Sequence, residues 1–278
     1  MNFNEKVIEK FQKLLDHDNF DTREDLKNLF KEDLFIPRYA ININKQRDLA
    51  LERLTKIAEK KLISVFDFSD NPKRIFTAHE IVGQMDGSAA TKLTVQFNLF
   101  GGTLLNLGNN DLHSQYLKEI DSLESIGCFG LTELGYGNNA AEMQTTATYD
   151  EKEKEFILNT PSSLARKYWI TNGALHAHFC IVFARLIIKD NDEGIHAFLV
   201  PIRDKELNVI NGVSVWDMGH KIGINGIDNA SIGFNNVKVP KDSLLGDTSS
   251  IDDQGNFESK INKKRDRFLY VADRLLSG

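Results

Sequence analysis

Two short runs in this sequence carry residue types able to hold a planar ligand that bears phosphates. The first is Cys128-Phe129-Gly130-Leu131-Thr132-Glu133-Leu134-Gly135-Tyr136-Gly137-Asn138-Asn139, and the second is Lys167-Tyr168-Trp169-Ile170-Thr171-Asn172-Gly173. In the first, an apolar stretch gives way to Thr132 and then to alternating glycines with Asn138 and Asn139. That composition ends a strand and bares backbone N–H groups suited to an anion. In the second, an aromatic pair is followed at once by a hydroxyl and an amide, so one short strand offers a ring face beside hydrogen-bonding groups. Phe129 and Leu131 share one face of a regular strand and either line the ring or fill the interior. Glu133 falls on the opposite face from Thr132 and reads as structural.

Other candidates carry less. Gly135-Tyr136-Gly137 lacks the strand–turn–helix setting of a dinucleotide fingerprint, so NAD is rejected. His176 and His178 on a strand would point both rings the same way, a metal edge, but no third ligand cluster lies nearby in sequence and zinc is not expected. Cys128 and Cys180, in apolar strand-like surroundings, read as buried reduced thiols rather than as a catalytic pair or a disulfide. Asn229-Ala230-Ser231 is a formal glycosylation sequon that means nothing without a secretory signal. A net charge of −6 and a pI near 5.7 leave no basic excess for nucleic acid.

These runs need elements to position them. At 278 residues, 41% of them hydrophobic, the chain can build about two domains. The start, Met1-Asn2-Phe3-Asn4-Glu5-Lys6, shows no export signal, and no apolar segment is long enough to span a bilayer, which reads as a soluble, unexported protein. Residues 1–126 read as an all-α helical domain. Val7, Phe11, Leu14 and Leu15 recur at helical spacing, and Thr22 is the expected N-cap before Leu26, Leu29 and Phe30. Pro37 breaks the chain, a helix is predicted from Lys45 to Leu62, and Asp70-Asn71-Pro72 is a turn. Two more helices are predicted, from Ile75 to Gln84 and from Ala89 to Leu107; the latter is apolar enough to be buried, with Gly101-Gly102 against an unbroken run. From Gly127 the period changes. Thr145–Tyr149, Glu155–Thr160, Cys180–Ile188, His196–Pro201, Val213–Asp217 and Ala230–Val239 read as strands of an antiparallel barrel or sandwich domain over 127–246. Asp247 to Asn256 reads as a flexible connection, with a helix from Asp266 to Leu276.

The residues resemble the acyl-CoA oxidase and acyl-CoA dehydrogenase superfamily, the oxidase branch most closely. The resemblance is carried by Thr132-Glu133-Leu134-Gly135 with Gly137, Thr145-Thr146-Ala147-Thr148-Tyr149-Asp150 and Phe156-Ile157-Leu158-Asn159-Thr160-Pro161. It continues through Gly194-Ile195-His196-Ala197-Phe198-Leu199-Val200-Pro201-Ile202-Arg203, Gly219-His220-Lys221-Ile222-Gly223 and Val237-Lys238-Val239-Pro240. Trp169-Ile170-Thr171-Asn172-Gly173 is more similar to the dehydrogenase form of its strand. The resemblance implies an α+β multidomain fold in which 247–278 is a linker and only the start of a C-terminal helical domain. It implies FAD as cofactor, with Thr132 and Thr171 on the polar rim of the flavin and Trp169 against the ring. Phe129 and Leu131 lie beside it, and Gly137 and Asn138 sit in the loop that approaches the pyrophosphate and the acyl-CoA.

The implied reaction oxidises fatty acyl-CoA to 2-trans-enoyl-CoA and reduces O2 to H2O2. Its base is a glutamate of the C-terminal domain, so no catalytic residue is expected in this chain. The expected partners are the missing C-terminal helical domain or a complementary subunit, together with further copies in a homo-oligomer. The expected location is the peroxisome for a eukaryotic source or the cytoplasm for a bacterial one. A dehydrogenase of the same superfamily differs in its electron acceptor and is separated by oxygen consumption. A non-catalytic relative that binds acyl-CoA or a partner predicts no flavin even when completed.

Overall fold

The computed structural model describes residues 5–252 and 254–277; Met1 to Asn4, Asp253 and Gly278 lie outside the described residues. Helices fill the chain up to Ser122: α1 (Glu5–Asp16), α2 (Phe20–Leu29), α3 (Ile43–Glu59), α4 (Asp67–Asp70), α5 (Pro72–Met85), α6 (Gly87–Leu93), α7 (Gly102–Leu107) and α8 (Asp111–Ser122). In α3, Leu49, Ala50, Leu54, Ile57 and Ala58 recur at helical spacing and are buried, and the Asn42 side chain caps the start by accepting from the Lys45 N–H. Burying Leu54 and Ile57, at 1% and 0% exposure, stabilises the bundle by about 1.5–3 kcal/mol for each side chain. Pro72 opens α5, where its missing N–H costs nothing, so the expected turn is the α4–α5 junction. Two details differ from expectation. Asn19, at φ 46°, precedes α2 and Thr22 lies inside it, so Thr22 is not the cap. α1 forms but buries none of its residues; Phe11 is 60% and Leu14 74% exposed.

A π-helical stretch, Thr94–Gly101, joins α6 to α7 within the most apolar helical run. Its buried Gln96 accepts from the Gly127 N–H at 2.9 Å and donates to the carbonyls of Ile120 and Ser125. Phe100 lies so close to Gly127 that an added Cβ would stand 2.0 Å from its ring. Gly127 is therefore the residue that lets the first strand approach the helices.

The strands are β1 (Gly127–Gly130), β2 (Thr146–Asp150), β3 (Glu155–Asn159), β4 (Lys167–Ile170), β5 (Phe179–Ile188), β6 (Asn191–Pro201), β7 (Val213–Asp217), β8 (Ala230–Phe234) and β9 (Val237–Pro240). The largest sheet is mixed. β5 pairs antiparallel with β6 on one edge and, on the other, parallel with β1 and then β2, after which β3 and β9 follow antiparallel. β4, β8 and β7 form a second, antiparallel sheet. Along β5, Cys180, Val182 and Ala184 face an interior shared with Ile170, Ala230 and Ile232, while Ile181 and Phe183 pack towards the helices beside Phe100, Leu104 and Ile120. Burial on both faces explains the near-continuous apolar run of that strand. Cys128 and Cys180 are free, fully buried cross-strand neighbours, and burial pushes the Cys128 thiol well up.

The expected flexible connection after Gly246 is corrected. Ser249–Ile251 (β10) and Phe257–Ser259 (β11) form an antiparallel hairpin, whose turn is held by Asp252 Oδ1 accepting from the Gln254 and Asn256 N–H groups. The polar run is thus a side-chain-braced turn. α9 (Lys264–Val271) and α10 (Asp273–Ser277) follow, where one helix was expected; the Leu276 side chain lies outside the described residues.

Candidate functional site

β4 departs from regular alternation. Lys167 and Ile170 both point inward, at 0% and 3% exposure, and its register with β8 shifts between them. A regular strand would send Trp169 the same way as Lys167. Instead Trp169 takes φ 66° and stands 56% exposed. The left-handed conformation costs a bulky residue on the order of 1–2 kcal/mol, so the surrounding structure must hold it. The ring lines a cleft of about 490 Å³ with Thr91 of α6, Thr171, Asn229 and the loop from Met218 to Ile227. Asn229 Nδ2 donates to the Trp169 carbonyl at 3.3 Å and to Thr171 Oγ1 at 3.2 Å.

Beneath this wall lies a buried polar cluster. The Lys92 ammonium, from α6, donates to Asp228, to Asn172 Oδ1 at 2.9 Å and to His176 Nδ1 at 3.0 Å. Asp228 also accepts from the N–H groups of Leu175 and His176, and Asn172 Nδ2 reaches the Gly127 carbonyl at 3.1 Å. Lys92 and Asp228 side chains are both inaccessible to water. Burial opposes the charge on Asp228, yet Lys92 and the His176 contact hold its carboxyl far below the usual carboxylate range. Arg47 of α3 grips Asp217 of β7 through two bonds of 2.6 and 2.7 Å. Both pairs tie the helices to the sheet that carries Trp169.

The first sequence run forms the adjoining edge. The Tyr168 N–H donates to the Thr132 carbonyl at 2.9 Å, and Glu133 and Lys167 form a β-bridge and a buried ion pair at 3.0 Å. Glu133 also accepts from the Gln144 and Thr145 N–H groups, a structural role. Thr132 is half-buried on the opposite face. Phe129 and Leu131 fill the interior between sheet and helices, with Phe129 packed on Phe183 at 4.9 Å, and neither lines the cleft. Gly137 and Asn138 are exposed, with Gly137 at φ 49°. The expected bare N–H groups of that loop are corrected: Leu134, Gly135, Tyr136 and Gly137 donate theirs to carbonyls of Arg166, Leu164 and Glu133. His176 and His178 lie on a turn and its exit rather than sharing a strand face; His176 faces Lys92, and His178 Nδ1 accepts from the Ile126 N–H. Asn229, the sequon residue, is 2% exposed and spent inside the fold.

The sequence reading missed Lys92, Asp217, Asp228 and Asn229. Lys92 was the legible signal, because a lysine on the inner face of the most apolar helical run requires a buried acid. Nothing in the local sequence names Asp228 as that acid.

Residues 128–237 match the family model of the acyl-CoA dehydrogenase middle domain. The chain is 36% identical to the peroxisomal acyl-coenzyme A oxidase 2 of Arabidopsis thaliana over 281 residues, covering 98% of this chain and 39% of that protein. Acyl-CoA oxidase 1 of Yarrowia lipolytica superposes with a TM-score of 0.81 at 29% identity, over 93% of this chain and 37% of that one. Acyl-CoA oxidase-2 of Caenorhabditis elegans, solved with FAD, ascaroside-CoA and ATP, gives 0.80 at 26% identity, over 96% and 40%. The chain thus spans about two fifths of the length of these relatives. It belongs to the acyl-CoA oxidase branch of the acyl-CoA oxidase and dehydrogenase superfamily.

Proposed function

We propose that this chain supplies the flavin-facing wall of an FAD-dependent fatty acyl-CoA oxidase. The observation that carries the reading is the cleft that sets an exposed, left-handed Trp169 ring beside the Thr171 hydroxyl. These residues fit the group: a ring face for stacking and a hydroxyl whose proton no described residue accepts suit a planar heterocycle with acceptor atoms. Trp169 and Thr171 would hold the ring, Thr132 would flank it, and Gly137 and Asn138 would approach the phosphates. Phe129 and Leu131 support that edge from the interior. Bound there, FAD would supply the acceptor for the β-carbon hydride of the acyl thioester and the route of its electrons to O2, so that acyl-CoA and O2 would give 2-trans-enoyl-CoA and H2O2. The chain's own residues bind and orient; the α-proton goes to a glutamate that the family resemblance assigns to the C-terminal helices. Residues 1–126, 127–246 and 247–278 are taken as helical domain, flavin-binding β domain and connection to those helices. Ile222 and Ile224, exposed beside the cleft, support a covering partner, which we take to be the C-terminal part, in a homo-oligomer. The peroxisomal relative supports a peroxisomal location.

The test is the visible spectrum of the chain with added FAD, before and after mixing with a separately made C-terminal half. Flavin bands that bleach anaerobically with acyl-CoA are expected. A mixture that associates yet holds no flavin sinks the enzyme reading in favour of a non-catalytic acyl-CoA-binding relative. Bleached flavin that recovers only with an electron-carrier protein, and not with O2, makes the protein a dehydrogenase.

A further inference from the structure

We propose that Asn229 is a positioning residue that fixes the direction in which the Thr171 hydroxyl donates; the inference rests on the flavin reading above. The Trp169 carbonyl can only accept. The Asn229 amide group facing it at 3.3 Å must therefore be the nitrogen, whatever the local ambiguity of amide orientation. The same nitrogen lies 3.2 Å from Thr171 Oγ1, so its second hydrogen is donated to that oxygen. The Thr171 oxygen is thereby an acceptor towards the protein, and its proton is left for the cleft it lines. Without Asn229 the hydroxyl rotates freely; with an acceptor in its place the hydroxyl turns inward.

Asn229 is itself held. It is 2% exposed, its carbonyl accepts from the Met218 N–H at 3.0 Å, and it follows Asp228, which is clamped by Lys92 and the Leu175 N–H. One amide thus sets both strained Trp169 and the polarity of Thr171. The cleft recognises a ligand that presents a hydrogen-bond acceptor at Thr171, such as a ring nitrogen or carbonyl of the flavin, and disfavours one that presents an N–H there.

The experiment titrates FAD into the wild-type protein completed with its C-terminal half, and into Asn229→Asp, Thr171→Val, Thr171→Ser and the Asn229→Asp/Thr171→Val double variant. Flavin fluorescence and visible band structure are followed. Asn229→Asp, whose side chain only accepts, is expected to weaken FAD binding about tenfold and blur the bands. Thr171→Val loses a similar factor, Thr171→Ser stays within about twofold, and the double variant is little worse than Thr171→Val. If Asn229→Asp fails to fold, Thr171→Ser against Thr171→Val reads the same proton. In ¹⁵N spectra of the wild-type protein, one Asn229 side-chain N–H should shift on Thr171→Val and not on Thr171→Ser. Equal FAD affinity in wild type, Asn229→Asp and Thr171→Val overturns the inference and leaves the flavin reading intact. Absence of FAD uptake by the completed wild type overturns both.

Discussion

Beneath the cleft, the β region is joined to α6 by an ammonium and a carboxylate that water does not reach, and the chain runs through Trp169 and Asn172 at φ 66° and 67°. Under the β10–β11 hairpin the buried contact is neutral, with the charges of Arg267 and Lys189 at its rim. His196 Nε2 lies 3.1 Å from Ser249 Oγ, which donates to Ser259 Oγ at 3.1 Å, and left-handed positions nearby are taken by Gly194, Gly246 and Gly255 as well as by the exposed Lys189 and Asp190. The hairpin seam keeps its charged groups, such as Arg267 and Glu193, partly exposed; the cleft seam accepts fully buried charge and a bulky residue in a left-handed conformation. Such choices persist only where neighbouring contacts over-determine them, and they cluster where geometry must be held for a ligand.

Breaking the charged seam is expected to give the largest effect. Lys92→Met leaves Asp228 buried without its cation and should destabilise the chain by about 3–5 kcal/mol, read as a lower denaturation midpoint in urea. It should also loosen Trp169, because the acid that anchors the Asp228–Asn229 segment before β8 is then free to protonate or move. A loss under about 1 kcal/mol would mean that the N–H groups of Leu175 and His176 suffice for the carboxylate, and that the two seams differ in composition but not in strength.

The neutral seam should instead break with acid. Burial lowers the His196 ring from 6.5 to about 4, so the folded chain keeps it uncharged while the unfolded chain takes up the proton first. Stability from this residue is complete above pH ~6.5 and is lost as pH falls towards about 4, by up to about 3 kcal/mol. Thermal unfolding between pH 7 and 4 should show this slope, and His196→Gln should flatten it. Asp228, held low, contributes with the same sign in a lower window: its stabilisation is present above the ordinary carboxylate pKa and falls away only in stronger acid. A mildly acidic medium therefore loosens the hairpin before it touches the cleft.

The order of a helical half before a stranded one was legible from period, because Leu54 and Ile57 repeat at helical spacing and Phe156 and Leu158 alternate, although α8 went unread and β8 and β9 were read as one strand. The β10–β11 hairpin was not: its strands are three residues each, too short for a period, and Asp252 and Asn256 read as loop until their side chains are seen bracing a turn. In the site, Trp169 and Thr171 were legible as a ring face beside a hydroxyl. What positions them was not, since Lys92 and Asp228 are 136 residues apart and no local pattern records a contact of that range. The bare N–H groups expected around Gly135–Gly137 failed partly for a related reason: Leu134 and Gly135 donate to Arg166 and Leu164, on a segment the loop composition does not mention, while Tyr136 and Gly137 turn back onto the Glu133 carbonyl.

The smallest expected effect separates strain from stability at Trp169. Glycine there relieves a left-handed side chain, worth on the order of 1–2 kcal/mol, but adds chain entropy to the unfolded state of roughly 0.5–1 kcal/mol. Trp169 is 56% exposed, and losing the packing of its covered part costs up to about 2 kcal/mol. Trp169→Gly should therefore change the unfolding free energy by no more than about 2 kcal/mol, while removing the stacking face of the cleft and with it most FAD retention. A variant that is markedly less stable would place Trp169 in the supporting core of the wall. One that is as stable as wild type and empty of flavin would show that the left-handed tryptophan is kept for its ligand rather than for the fold.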